Sequence, residues 1–250
     1  MVSRRTKSRI AAAFSAAFIL AAVCLVVGLQ FFQHRAGDLD PAGPEGENVS
    51  SEASFDSDGF PDVNWDYWLG VNPDIVAWVS IPGTELSYPI VQAEADDPQF
   101  YLRHDVYGTW NIAGCPYLDA SCEEEGVFGS KNAVIFGHNM GGGDMRMFGV
   151  FGEFSNPDFA RANKEVYIQT PGEKRIYEAD FVQVIEGSEQ SKTTEFETDE
   201  AFDEWYESSL SSANVVVDSE SKPSSCISFC TCSYTHFANE RIVTTTSRKR

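Results

Sequence analysis

The chain has 250 residues, 42% of them apolar and 13% aromatic, which excludes a disordered polypeptide and suffices for one packed domain with accessories. Its formal charge is −20, from 18 Lys and Arg against 38 Asp and Glu. Four bases (Arg4, Arg5, Lys7, Arg9) fall in residues 1–9, so the remainder carries 14 bases against 38 acids, or −24; such a surface repels phosphates and disfavours a nucleic-acid partner.

Ile10 to Phe32 is a run of 23 uncharged residues interrupted only by Ser15, Gly28 and Gln30. At the rise of a helix it is long enough to span a hydrocarbon core of ~30 Å. The basic segment 1–9 precedes it and acids follow, so the positive-inside rule predicts a single-pass membrane anchor with residues 33–250 outside the cell. A cleaved signal peptide is the rival, but the apolar run exceeds the usual length of such a core. Residues 33–60, rich in Gly, Pro, Ser, Asp and Glu, read as a flexible linker, and residues 61–250 as the domain it carries.

In "VNWDYWLGVNPDIVAWVSIPGTELSYPIVQ", Trp65, Trp68 and Leu69, with Ile75, Val76, Trp78 and Val79 after them, predict a short amphipathic helix ending at Gly70. A strand follows to the "IPGT" turn, then a second strand, "LSYPIVQ". Short β-branched or aromatic runs recur at "NAVIFGH", "EVYIQT", "RIYEADFVQVIEG", "ANVVVD", "SCISFCTCSY" and "RIVTTTS". "FGVFGEFSNPDFARAN" and "TDEAFDEWYESSL" have helical spacing, the second opened by Thr198 as N-cap with acids in its first turn. Many short strands with few helices predict a mainly β fold, a barrel carrying helical insertions.

Three residues stand out chemically. His138 ends an apolar strand and enters the glycine-rich "NMGGGD". Cys232 lies in "SFCTCSY", and Arg241 follows it by nine residues. Each alone has an ordinary explanation as a structural histidine, a buried thiol or a surface cation. Together they supply what amide cleavage through a thioester requires: a nucleophile, a proton carrier and a cation for the developing oxyanion. A hairpin would bring Cys232 and Arg241 to one end of a sheet. No aspartate is placed to complete a triad. Cys115 and Cys122 flank turn formers in a segment expected outside the cell, so a Cys115–Cys122 disulfide is expected. Cys230 and Cys232 share a strand face at ~6.5–7 Å between Cα atoms, too far for an unstrained bond. No CxxC or HxxxH pair occurs, and neither a metal nor a cofactor is expected.

The order "NPDIVAWVSIPGT…YPIVQ", "NAVIFGHNM" and a "TC" strand with arginine nine residues on resembles the class B sortases over residues 62–248. The resemblance implies a sortase-type closed barrel with N-terminal helices and an inserted helix, "DEAFDEWYESSL", between late strands. It implies a membrane-anchored cysteine transpeptidase on the outer face of a Gram-positive cell, with Cys232 as nucleophile, His138 as acid/base and Arg241 as oxyanion or substrate-positioning group. By the same analogy the Ser233 N–H is a second oxyanion donor, Cys230 and Thr231 line the peptide groove, and the Ser191–Phe196 loop, with Thr193 and Thr194, closes its other wall. The implied partners are the sorting-motif peptide of a secreted protein and an amine of a peptidoglycan precursor or a pilin. Family members mostly read Asn-Pro-X-Thr signals, and the groove-lining loops do not decide the motif. The family's Thr-Leu-Ser-Thr-Cys reads Ser228-Phe229-Cys230-Thr231-Cys232 here. An exported cysteine peptidase that hands its acyl group to water, and a membrane-tethered binding module with structural thiols, are the alternatives.

Overall fold

The computed structural model describes residues 55–187, 193–233 and 239–249. The predicted basic segment, the apolar stretch 10–32, nearly all of the linker, His34 and His236 lie outside the described residues, as does part of each of the loops around 190 and 236. Among the described residues no helix is long and apolar enough to cross a membrane.

Among the described residues nine strands form one sheet: β1 (Ile75–Ser80), β2 (Ser87–Gln92), β3 (Tyr117–Leu118), β4 (Asn132–Phe136), β5 (Glu165–Gln169), β6 (Lys174–Glu186), β7 (Val215–Val216), β8 (Cys226–Cys232) and β9 (Glu240–Arg248). Their order is β5-β1-β2-β3-β4-β8-β9-β6, and β6 pairs back onto β5, closing an eight-stranded barrel as expected. One edge of the long β6 serves β5 over Lys174–Glu178 and β7 over Phe181–Val182, while the other pairs with β9. A bulge at Asp180 separates the two segments of the β6–β9 ladder. β4 and β8 run parallel, whereas β8 and β9 are antiparallel.

The helices follow from their caps. Asn64 accepts from the Tyr67 N–H and opens α1 (Trp65–Val71), which buries Trp68 against Trp78 at 5.4 Å between ring centroids. It runs one residue past the expected stop at Gly70. A single turn, α2 (Gly126–Gly129), precedes β4. The predicted "FGVFGEFSNPDFARAN" helix is broken into α3 (Gly149–Gly152), a 3-10 turn at Glu153–Ser155 and α4 (Pro157–Ala162). Pro157 has no N–H to continue a helix, and Asn156 caps the new one. The α3 aromatics pack on β8: Phe151 stacks on Phe229 at 4.4 Å, and Phe148 meets it edge-on at 6.0 Å. α5 (Asp199–Ser211) begins as read, with Thr198 accepting from the Ala201 N–H, and it presses Phe202 and Tyr206 onto Phe181 and Cys226.

The expected Cys115–Cys122 disulfide is not formed. Both thiols are free and buried, and they face different carbonyls, Pro89 O for Cys115 and Asn132 O for Cys122, each at 3.8 Å. Cys115 packs in the cluster around Trp68 and Trp78, while Cys122 lies in a 3-10 turn against β4. Two residues that each fill a core position have no need of a covalent tie, and turn-forming neighbours say nothing about where a thiol points.

Candidate active site

Three adjacent strands, β4, β8 and β9, deliver the chemistry to one end of the barrel. Cys232 is the final residue of β8, and its cross-strand partner on β9 is Arg241. Directly paired residues project to the same face, and the Arg241 guanidinium donates to Glu240 O at 3.0 Å. In the parallel β4–β8 pair, Phe136 stands opposite Cys230. The Gly137 N–H then donates to Cys230 O at 3.2 Å, and Asn139 Nδ2 donates to Cys232 O at 3.1 Å. His138 is thereby held abreast of Cys232.

The imidazole is half-buried. Its Nε2 lies 2.8 Å from Leu102 O. A carbonyl can only accept, so Nε2 carries hydrogen, and in neutral imidazole Nδ1 is the base. Burial lowers the His138 pKa below the ordinary histidine value, and the charges of Arg103 and Arg241 add to this against the opposing Leu102 hydrogen bond. Arg241 also places positive charge beside the buried Tyr117 phenol, which stacks on Phe136 at 5.4 Å. The remaining described histidine, His104, stacks on Phe100 at 3.9 Å and bonds Phe100 O, a structural role.

Local sequence explains how His138 is carried. A Cβ at Gly137 would lie 2.4 Å from the Phe148 ring, so only glycine lets the strand end settle on that aromatic. Gly141, Gly142 and Gly143 all have positive φ, between 65° and 82°, which turns the chain back so that the Phe148 N–H donates to His138 O at 2.8 Å. Asn139 Oδ1 accepts from the Gly141 N–H at 2.9 Å, so one carboxamide joins this turn to the Cys232 carbonyl.

The chain is similar to known proteins in sequence and in fold. A sortase B of Listeria monocytogenes is 36% identical over 93 residues, 37% of this chain and 35% of that protein. The structure of Clostridium perfringens sortase B superposes with a TM-score of 0.65 at 26% identity, covering 74% of this chain and 99% of that one. In sequence and in fold the chain is similar to the class B sortases. The Staphylococcus aureus sortase B–substrate complex has the same fold, with a TM-score of 0.64 at 20% identity over 74% of this chain and 84% of that one. The chain spans about a third of the length of the curated sortase B relatives it matches. No protein-family profile matches it.

Two expectations carried over from the sortases need correction here. Thr231 does not line the groove: it alternates away from Cys232, is buried, and donates its hydroxyl to Gly137 O at 2.8 Å. The Ser233 N–H is not free for an oxyanion, because it donates to Glu240 O at 3.0 Å as the ladder continues past Cys232. Its hydroxyl bonds the buried Glu240 carboxylate instead.

Cys230 packs in a buried cluster with Val134 and Val243, against which Phe136 and Ile185 are partly buried. Farther along the same face, a cavity of about 260 Å³ opens between the strands and α5, lined in part by Ser228, Val243, Ile185, Thr193 and Trp205. Thr193 O accepts from Asn132 Nδ2 at 2.7 Å, and the Thr194 and Ser121 hydroxyls are 2.8 Å apart. These contacts hold Thr193 and Thr194 against the segments that carry Asn132 and Ser121. Asn139 and the Leu102 carbonyl escaped the sequence reading. Only Asn139 left a trace there, as the residue following His138.

Proposed function

We propose that this chain is a class B sortase, a membrane-anchored cysteine transpeptidase acting on the sorting-motif peptide of secreted proteins. Cys232 Sγ attacks the scissile carbonyl, and His138 takes the thiol proton at Nδ1 and passes it to the leaving amine. The Arg241 guanidinium balances the oxyanion of the tetrahedral intermediate. The resulting thioester is resolved by an amine of a peptidoglycan precursor or a pilin, which re-forms an amide and frees the thiol. The observation that carries the reading is the pairing of Cys232 with Arg241 on adjacent strands, with His138 held abreast on the next. The cavity farther along the same face, lined in part by Ser228, Val243 and Ile185, supports it, since at ~3.4 Å per residue the span from Cys232 to Ser228 suits about four residues of extended peptide.

Intact-mass spectrometry after incubation with a panel of sorting-motif peptides tests this. An adduct on the wild type, absent from Cys232→Ala and released by an added amine, is the expected result. Release by water alone, unaffected by amines, would make the protein a peptidase. No adduct from folded, reduced protein would make it a binding module.

In the same proposal, residues 10–32 anchor the chain in the cell membrane with residues 61–250 outside. Deletion of residues 10–32 should then move the protein from the membrane fraction to the medium or the soluble fraction.

A further inference from the structure

A second groove is lined by none of the residues around the thiol. It measures about 620 Å³ and lies where the end of β9, the start of β6 and the connection between β7 and β8 meet. Arg241 and Arg248 are seven residues apart on β9, so the groove is ~24 Å from the Cys232 end. Four cations line it, Arg175, Lys222, Arg248 and Lys249, and no carboxylate does. In a chain with 38 acids and 18 bases this is a local inversion of the surface charge.

The four cations are not equivalent. Arg175 is fixed by Glu173, with Nε 2.6 Å from Oε1, and lies over the Phe128 ring at 4.2 Å. Lys249 is paired with Glu165 and Glu178. Lys222 and Arg248 are exposed, and among the described residues no ion pair joins either to a carboxylate. Ser224 and Ser225 line the same groove. Lys131 Nζ donates to Ser224 O at 3.1 Å and so steadies that turn.

We propose that this groove binds a phosphate group. A guanidinium fork, an ammonium and two hydroxyl donors match an anion with several outward oxygens, and the unpaired charge of two matches a phosphate better than a single carboxylate. Two sources offer that chemistry, a soluble phosphate ester and an anionic phospholipid headgroup. The second is within reach because the first described residues dock at this end: Asp56 pairs with Lys174 at 2.5 Å, beside Arg175, and Phe60 packs under the same ammonium at 5.6 Å. The headgroup source rests on the proposed anchor, but phosphate binding itself depends on neither the anchor nor the Cys232 chemistry.

The test is hydrogen–deuterium exchange on the full chain in nanodiscs, with Lys222→Ala/Arg248→Ala as comparison. Both side chains are exposed, and peptide acylation of the double variant should equal wild type, which separates this proposal from the transpeptidase reading. Glycerol phosphate added to phosphatidylcholine discs should slow exchange in residues 219–225 and 246–249 at least ~fivefold, the protection expected when bound protein predominates. Protection only in discs containing phosphatidylglycerol identifies the headgroup as the source. Either protection should vanish in the double variant. Absence of protection in both arms, equal protection in the double variant, or equal protection from sodium chloride at matched ionic strength would overturn the proposal.

Discussion

Asn139 Nδ2 donates to the carbonyl oxygen of Cys232 at 3.1 Å, while its Oδ1 accepts from the Gly141 N–H at 2.9 Å. The residue after the proposed base thus holds the backbone of the proposed nucleophile. Asn139→Ala should lower kcat for acylation about five- to tenfold, the equivalent of one neutral hydrogen bond of ~1 kcal/mol, with KM for the peptide little changed. Asn139→Asp sets a charged acceptor against the Cys232 carbonyl in place of the donor and should show at least the same defect. A variant whose loss lies in KM, or only in thermal stability, would make Asn139 a packing residue.

Arg241 shares its face with Cys232 through direct cross-strand pairing. Arg241→Ala should slow single-turnover acylation by about 10²–10³, as loss of a donor to a developing oxyanion does elsewhere. Arg241→Lys should not restore it, since an ammonium lacks the planar fork. Peptide affinity of the acylation-dead Cys232→Ala protein, with and without Arg241→Ala, separates transition-state stabilisation from substrate positioning.

The lowered His138 pKa, caused first by burial, has a fixed sign in folding. The unfolded chain takes up this proton at the ordinary value near 6.5, before the folded protein does. His138 therefore costs nothing at higher pH, and stability is lost as pH falls through the window below 6.5. His138→Gln, whose amide can still donate to Leu102 O, should reduce the drop in Tm between about pH 7 and about pH 5. The acidic limb of kcat/KM in the wild type should likewise lie below the ordinary histidine value.

Asp180, at the β6 bulge, behaves in the opposite sense. Burial raises its carboxyl to about 6, although Ser247 Oγ donates to its Oδ1 at 2.9 Å. The folded state binds this proton more tightly than the unfolded state, so stability falls as pH rises from about 4 to about 6 and stays lowered above that. Asp180→Asn should stabilise the protein at neutral pH by on the order of 2 kcal/mol and have little effect near pH 4. Paired melts at the two pH values check this.

What sequence could reveal here was whatever repeats locally. Thr198 announced its helix because a cap acts within three residues. The β-branched runs announced their strands because alternation is a nearest-neighbour property, and His138, Cys232 and Arg241 were visible as chemistry at strand ends. Thr231 was misplaced although the same alternation opposes it to Cys232, so that error was avoidable. The Ser233 N–H could not be assigned without the register of β9, which decides whether Glu240 O meets it. Leu102 O reaches His138 across 36 residues and is a backbone atom that leaves no residue-type signature. Cys115 and Cys122 failed for a related reason, since spacing does not report which carbonyl each thiol will face.

β9 lies between β8 and β6, pairing with both, and no other strand bridges them. Without it Cys232 would sit on an unzipped edge and the barrel would stand open. The strand that completes the cylinder also carries Arg241. Because these pairings are distant in sequence, they belong among the slower steps of folding. A thiol displayed on an ordered β8 therefore already has Arg241 as its cross-strand partner. Closing the cylinder and pairing Cys232 with Arg241 are thus the work of the same strand.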